Sequence, residues 1–128
     1  MATLRERLEL RLRAIDGVEL GESAFGDGAG YWVAGKEILH FDADDAVDVR
    51  LTRAEIRARR ADLRADDRVQ LRPSSSADWL EVRLAEPTDV ELVVELAGIA
   101  AAAHRPVHGR ATQPPPTGPD LERRRRFH

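Results

Sequence analysis

The stretch that decides the fold is "LHFDADDAVDVRL", residues 39–51, in which apolar and polar residues alternate on both sides of an acidic turn. A period of two is typical of a β-strand, because successive side chains point to opposite faces of a sheet. Two such runs around "ADD" predict an antiparallel hairpin. Its core-facing side chains would be Leu39, Phe41, Val47, Val49 and Leu51.

The polar residues of this hairpin fall on the opposite face of the sheet. If the turn centres near Asp44, His40 lies across from Asp48, with Asp42 and Arg50 as near neighbours. A shift of two residues pairs His40 with Arg50 instead. The alternation alone permits both registers.

The flanking segments predict three helices. Residues 2–15 place apolar side chains three or four positions apart, which indicates an amphipathic helix ending at the "DG" of residues 16–17. Thr52, with Glu55 three residues later, predicts a capping box at the start of a second helix. Residues 88–104 begin with a cap and an acid and are apolar nearly all round, which is typical of a helix buried across a sheet.

The order of elements predicts an α+β fold. Further alternating runs, among them "RVQLR" and "DWLEVRL", add strands to the hairpin, so we expect a single domain with an antiparallel sheet and helices packed on one face. The length suits one domain, which we place at residues 1–104. Residues 105–128 hold a triple proline and four successive arginines without periodicity, and we expect a disordered tail there.

Composition excludes several classes of function. There is no cysteine, so disulfides, thiolate metal sites and cysteine nucleophiles are excluded. A net charge of −3 argues against general binding of nucleic acid, which depends on many cations facing phosphates. No run of 18 apolar residues and no charged-then-apolar leader is present, so we expect no membrane partner and a soluble, cytoplasmic protein.

The strand at residues 78–84 adds a tryptophan to the face that carries His40. Its core side would be Leu80, Val82 and Leu84, and an indole on a solvated face forgoes a large burial energy. We therefore expect a cover over Trp79, either a ligand or a loop such as the glycine-rich residues 26–30. The candidate site residues on this face are His40, Asp48, Arg50, Trp79, Glu81 and Arg83.

Two interpretations of this face remain open. Alternating charges on a solvated sheet are ordinary cross-strand pairs, whereas a histidine beside a carboxylate is the usual acid-base pair of an enzyme. A metal site is not predicted, because three strong ligands are not brought together. The glycines of residues 26–30 are not followed by a helix with lysine and serine or threonine, which argues against a phosphate loop.

Two longer stretches carry a family resemblance. "GKEILHFDADDAVDVRLTRAE" and "DWLEVRLAEPTDVELVVELAGIAAAA", residues 35–55 and 78–103, resemble the luciferase-domain family. These are small bacterial proteins similar to the fungal luciferases that use a hydroxylated styrylpyrone luciferin. The resemblance covers roughly residues 15–104, and the corresponding positions are Glu37, His40, Asp48, Leu51, Trp79, Glu81, Asp89 and Glu91.

The chain departs from the family pattern at three positions. Asp42, Asp48 and Arg83 stand where many members carry histidines. If those histidines form the reactive cluster, this protein keeps only His40 of that cluster. Light emission is therefore not expected from the resemblance alone.

The resemblance implies cofactor-independent chemistry on a small aromatic or pyrone-like molecule. His40, polarised by Asp48 or Glu81, would remove an acidic proton, and the anion would react with oxygen directly. The substrate-binding residues would be Trp79, which stacks on the ring, and Arg50 or Arg83, which holds the anion. The alternatives are a binding module for a small ligand or a protein, and a purely structural accessory domain.

Overall fold

The computed structural model describes residues 1–26, 28–73, 77–105 and 115–126. Over these residues the chain forms four helices and six strands. In chain order they are α1 (Leu4–Arg13), β1 (Glu19–Glu22), β2 (Ala29–Val33), β3 (Lys36–Ala43), β4 (Ala46–Arg50), α2 (Arg53–Ala65), β5 (Val69–Leu71), β6 (Trp79–Arg83), α3 (Pro87–His104) and α4 (Gly118–Arg126).

The six described strands form one antiparallel sheet in the order β1-β2-β3-β4-β6-β5. Helix α3 lies across β3, β4 and β6, and α1 packs on α3. This arrangement confirms the predicted α+β class. None of the described helices is long and apolar enough to cross a membrane.

The hairpin of β3 and β4 has the first of the two predicted registers. His40 pairs with Asp48, and Leu39 pairs with Val49. The predicted core residues of both strands are buried between the sheet and the helices, because the alternation places every second side chain on that side. The same pairing therefore places His40 and Asp48 side by side on the opposite face of the sheet.

A β-bulge in β3 changes the parity that the sequence predicts. Tyr31 pairs with Leu39, but the next residue of β2, Trp32, pairs with Glu37, so Ile38 is the extra residue. A bulge of this kind moves the preceding side chain to the other face of the sheet. Glu37 consequently joins His40 on the face away from the main core.

The cap of α2 is half of the predicted capping box. The hydroxyl of Thr52 accepts a hydrogen bond from the backbone N–H of Glu55 at 3.1 Å. The Glu55 carboxylate accepts from Arg59 Nε at 3.1 Å. One free N–H of the first turn is thus satisfied as expected, and the glutamate stabilises the helix by an i, i+4 pair.

The C-terminal segment differs from the predicted disordered tail where it is described. Helix α4 packs on the face of the sheet opposite α1 and α3, where Leu121, 2% exposed, contacts Trp32 and Ala24. The helices therefore do not all pack on one face. A single leucine gives no amphipathic period, which is why the sequence did not indicate this helix. The tail prediction for residues 106–114 and 127–128 lies outside the described residues.

Candidate functional site

A pocket of about 440 Å³ opens on the face of the sheet away from α1 and α3, over strands β3, β4 and β6. We call it the His40 pocket. Its volume lies within the range of roughly 300 to 1,000 Å³ that is usual for small-molecule sites. The lining side chains are Phe25, His40, Asp42, Asp48, Arg72, Ala77, Asp78 and Trp79.

His40 lies between two buried carboxylates. Its Nε2 is 3.0 Å from Asp48 Oδ2, and its Nδ1 is 3.2 Å from Glu37 Oε2. The contact with Asp48 follows from strand pairing, and the contact with Glu37 follows from the bulge. The Nδ1 contact has the distance of an ion pair without the alignment of a hydrogen bond.

The two carboxylates determine the charge of the imidazole. Burial by itself lowers the pKa of His40, but the close contacts of its ring nitrogens with the Asp48 and Glu37 carboxylates, and the negative charges of both, outweigh burial and raise the pKa to about 9. His40 is therefore an imidazolium at neutral pH. The ordinary value near neutrality, which the sequence predicts, does not apply here, because Glu37 is a second carboxylate beside the ring.

The carboxylate of Glu37 is held in place by the loop before β2. It accepts hydrogen bonds from Ser23 Oγ at 2.5 Å and from the backbone N–H of Ala24 at 2.6 Å. Ser23 Oγ in turn accepts from the N–H groups of Phe25 and Gly26. Glu37 thus ties His40 to the loop at residues 23–26.

Sequence reasoning did not include Glu37 or Ser23 among the site residues. Strict alternation places Glu37 with the core side chains, and only the bulge at Ile38 reverses it. The resemblance did contain a signal, since Glu37 is one of the motif positions. Ser23 lies in a loop with no motif, so no sequence pattern indicates it.

Two aromatic rings lie beside the imidazole. The Trp79 ring is 5.0 Å from the ring of Phe25 and 5.0 Å from that of His40, measured between centroids. Phe25 and His40 are nearly parallel at 7°, with 6.3 Å between centroids. Phe25, the residue just before the glycine-rich segment, therefore lies against Trp79.

Glu81 is a neighbour of the His40 pocket. It pairs with Asp48 across β4 and β6 and is partly buried. Burial raises the pKa of Glu81, and the charges of Asp48 and Asp42 raise it further. Glu81 therefore adds a carboxyl group with a raised pKa next to the His40 and Asp48 pair.

The two arginines named from the sequence occupy different places. Arg50 Nε donates to Asp78 Oδ2 at 2.9 Å, and its guanidinium lies 5.7 Å from the rings of Phe25 and Trp79. Arg83 is exposed and lines a separate depression near the end of α2. The structure thus brings Arg50 to the aromatic rings and leaves Arg83 away from them.

Arg72 is a further cation of the pocket that the sequence did not indicate. Its Nη2 lies 3.4 Å from Asp48 Oδ1, so Asp48 has a positive neighbour on each side. Across the described parts of the chain, no group of three histidine, cysteine or acidic side chains is arranged to hold a metal ion. The described side chains that line the site include acidic, cationic and aromatic groups.

Comparison with known proteins gives one match. A family model described as "Luciferase domain" matches residues 35–100, just over half of the 128 residues. A search of curated proteins and a search of solved structures each found no match. The matched segment runs from the start of β3 into α3 and includes His40, Asp48 and Trp79. The chain therefore belongs to the luciferase domain family.

Proposed function

We propose that the His40 pocket binds a small hydroxylated aromatic or pyrone-like molecule and transfers the proton of its hydroxyl group. The observation that carries this proposal is a buried pair, His40 and Asp48 at 3.0 Å, beside the ring of Trp79. A flat ligand stacked on Trp79 would lie next to that pair. The volume of about 440 Å³ accommodates one such molecule.

The two members of the pair have different roles in this proposal. Because His40 is protonated at neutral pH, the base is Asp48, whose carboxylate lines the pocket. Asp48 accepts the hydroxyl proton of the ligand. The positive charge of His40 stabilises the phenolate or enolate that forms, since such a charge acts strongly in a buried site.

The proposed activity beyond proton transfer is oxygenation without a cofactor. An enolate or phenolate held beside an imidazolium is electron-rich enough to react with molecular oxygen directly. Membership of the luciferase domain family supports an oxidative reaction on a small molecule. Asp48, which accepted the hydroxyl proton, would return that proton to the product.

The binding step is tested with a variant that has one tryptophan. Trp32→Phe leaves Trp79 as the fluorescent residue, and we expect phenols and hydroxypyrones to quench it. With para-nitrophenol, phenolate absorbance should increase at neutral pH, because the imidazolium stabilises the anion. His40→Gln should lose the phenolate signal. His104→Gln is the matched control, because His104 contacts the Leu51 carbonyl oxygen and does not line the pocket. This variant should retain the phenolate signal.

Two outcomes would overturn the binding step: no change in Trp79 fluorescence across the panel, or phenolate absorbance that persists in His40→Gln. Oxygen uptake with a hydroxypyrone tests the reaction itself. We expect uptake that is lost in Asp48→Asn. Binding without any oxygen uptake would leave the protein as a small-ligand binding module.

A further inference from the structure

A second pocket shares Phe25 with the His40 pocket. It encloses about 410 Å³ and includes helix α4, which the family match does not cover. We call it the Arg124 pocket. The residues that line it are Ala24, Phe25, Trp32, Lys36, Glu37, Arg50 and Arg124.

The charges of the Arg124 pocket favour an anion. Three cations line it, against the single carboxylate of Glu37. Both oxygens of that carboxylate are already engaged by Ser23 and Ala24, and it also faces the His40 imidazolium at 3.2 Å. Arg50 has Asp78 as its ion-pair partner, so Lys36 and Arg124 give the lining its positive balance.

The guanidinium of Arg50 is positioned for a planar anion. Asp78 holds its Nε at 2.9 Å, and within the described part of the chain neither Nη atom makes a hydrogen bond. Two parallel N–H groups of a fixed guanidinium match the two oxygens of a carboxylate. Arg50 therefore offers a preformed fork on the wall of this pocket.

Arg124 and the aromatic walls complete the site. Arg124 Nη1 donates to the Gly35 carbonyl oxygen at 2.6 Å, which fixes the guanidinium 5.8 Å from the ring of Trp32. The rings of Trp32 and Phe25 give the pocket apolar walls. Flat apolar walls beside fixed cations suit a ring that carries a carboxylate.

We infer that the Arg124 pocket is a second ligand site, which binds a small aromatic carboxylate through Arg50 and Arg124. This inference does not depend on the proposed function, because the ligand needs no acidic hydroxyl and lies against Trp32. Of the two pockets, only the Arg124 pocket is lined by Trp32, so Trp32 fluorescence reports on that pocket.

Benzoate is the probe, and binding is measured by calorimetry on the full chain. We expect Arg124→Ala to weaken benzoate binding at least tenfold. Arg50→Lys, which keeps the charge and loses the fork, should also weaken it at least tenfold. Arg123→Ala is the matched control, because Arg123 lies on the same helix with its side chain 70% exposed, and should change the affinity less than twofold. Benzyl alcohol, which lacks the charge, should not bind measurably.

Fluorescence then locates the bound benzoate. In Trp79→Phe the remaining Trp32 should respond to benzoate, and adding Arg124→Ala to that variant should weaken the response at least tenfold. The inference is overturned if benzoate gives no binding heat, if Arg123→Ala weakens benzoate binding as much as Arg124→Ala does, or if Trp32 does not respond. Each of these outcomes leaves the phenol experiment on the His40 pocket unaffected.

Discussion

His40 is a buried imidazolium, 6% exposed, with a carboxylate near each ring nitrogen. Such a group is stable only while both partners remain ionised and in place, since an unpaired buried charge costs several kcal/mol. Its charge therefore depends on Glu37 and Asp48 together. The pH range over which His40 loses its proton is therefore determined by all three residues of this cluster.

Stability should fall between pH 6.5 and pH 9 because of His40. Below 6.5 the imidazole is charged in both the folded and the unfolded chain, and its contribution is complete. As the pH rises through the folded pKa of about 9, that contribution, up to roughly 3 kcal/mol, is lost. Chemical denaturation of the wild type and of His40→Gln across this range measures the difference.

The difference in unfolding free energy between wild type and His40→Gln should shrink toward high pH. Groups other than His40 contribute to the unfolding free energy of both proteins, so their contributions cancel in the difference. Parallel curves over the whole range would contradict a raised pKa for His40.

The residues of the His40 pair could be predicted from the sequence, because alternation and strand pairing are local patterns. His40 and Asp48 were placed opposite one another as one of two registers, and the structure has that register. Glu37 could not be placed, since a bulge depends on how β2 and β3 pair and not on the alternation within β3.

At the scale of elements, β2 passes close to the Glu37 carboxylate and to the loop at residues 23–26. A Cβ at Gly30 would lie 2.8 Å from Glu37 Oε2 and 3.0 Å from the Cα of Ser23. Neither atom moves freely, because Ser23 and Ala24 hold the Glu37 carboxylate. Strand β2 therefore requires glycine at this position.

Alanine should have opposite effects at two glycines. Gly30→Ala should destabilise the fold by about 1 to 3 kcal/mol, as overpacking of a tight site does. Gly98→Ala, in helix α3 with nothing within 4 Å of the added Cβ, should stabilise it by about 0.5 to 1 kcal/mol. Urea denaturation of both variants measures the sign of the change in unfolding free energy. A neutral Gly30→Ala would contradict the close approach.

Helix α4 is an element attached by few contacts. Leu121 is buried against Trp32, while Arg124 and Arg125 donate to the carbonyl oxygens of Gly35 and Ser23. One buried leucine contributes about 2 kcal/mol. Helix α4 should therefore detach more readily than the elements of the main core.

Leu121→Asp should release α4. We expect trypsin to cleave at residues 123–126 about tenfold faster, and Trp32 emission in a Trp79→Phe background to move to longer wavelength. Leu10→Asp is the control, because Leu10 on α1 is 71% exposed. It should change neither the cleavage rate nor the Trp32 emission. Unchanged cleavage in Leu121→Asp would show that α4 is not held by this leucine.

At the scale of the whole molecule, the sheet separates two environments. The face under α1 and α3 holds the main apolar core, and the other face holds the His40 pocket, the Arg124 pocket and α4. Three aspartates line the His40 pocket, and three cations line the Arg124 pocket, with Phe25 shared between the two. This contrast is the basis for proposing proton transfer in the first pocket and binding of a carboxylate in the second.

The class of fold could be predicted from the sequence because periodic apolar patterns specify which face of each element is buried. The elements on the second face could not be predicted, since α4 and the loop at residues 23–26 carry no apolar period. A few individual contacts hold them in place. Leu121 and Ser23 are the clearest cases. The pocket walls from Phe25 and Arg124 became apparent only in three dimensions.

The most direct test of the central claim is an NMR titration of the His40 imidazole, assigned by comparison with His40→Gln. We predict a midpoint near pH 9, and a shift of the His40 resonance when para-nitrophenol is added at neutral pH. A midpoint at or below 6.5, the ordinary value for histidine, with no response to para-nitrophenol would contradict a protonated His40 at a ligand site.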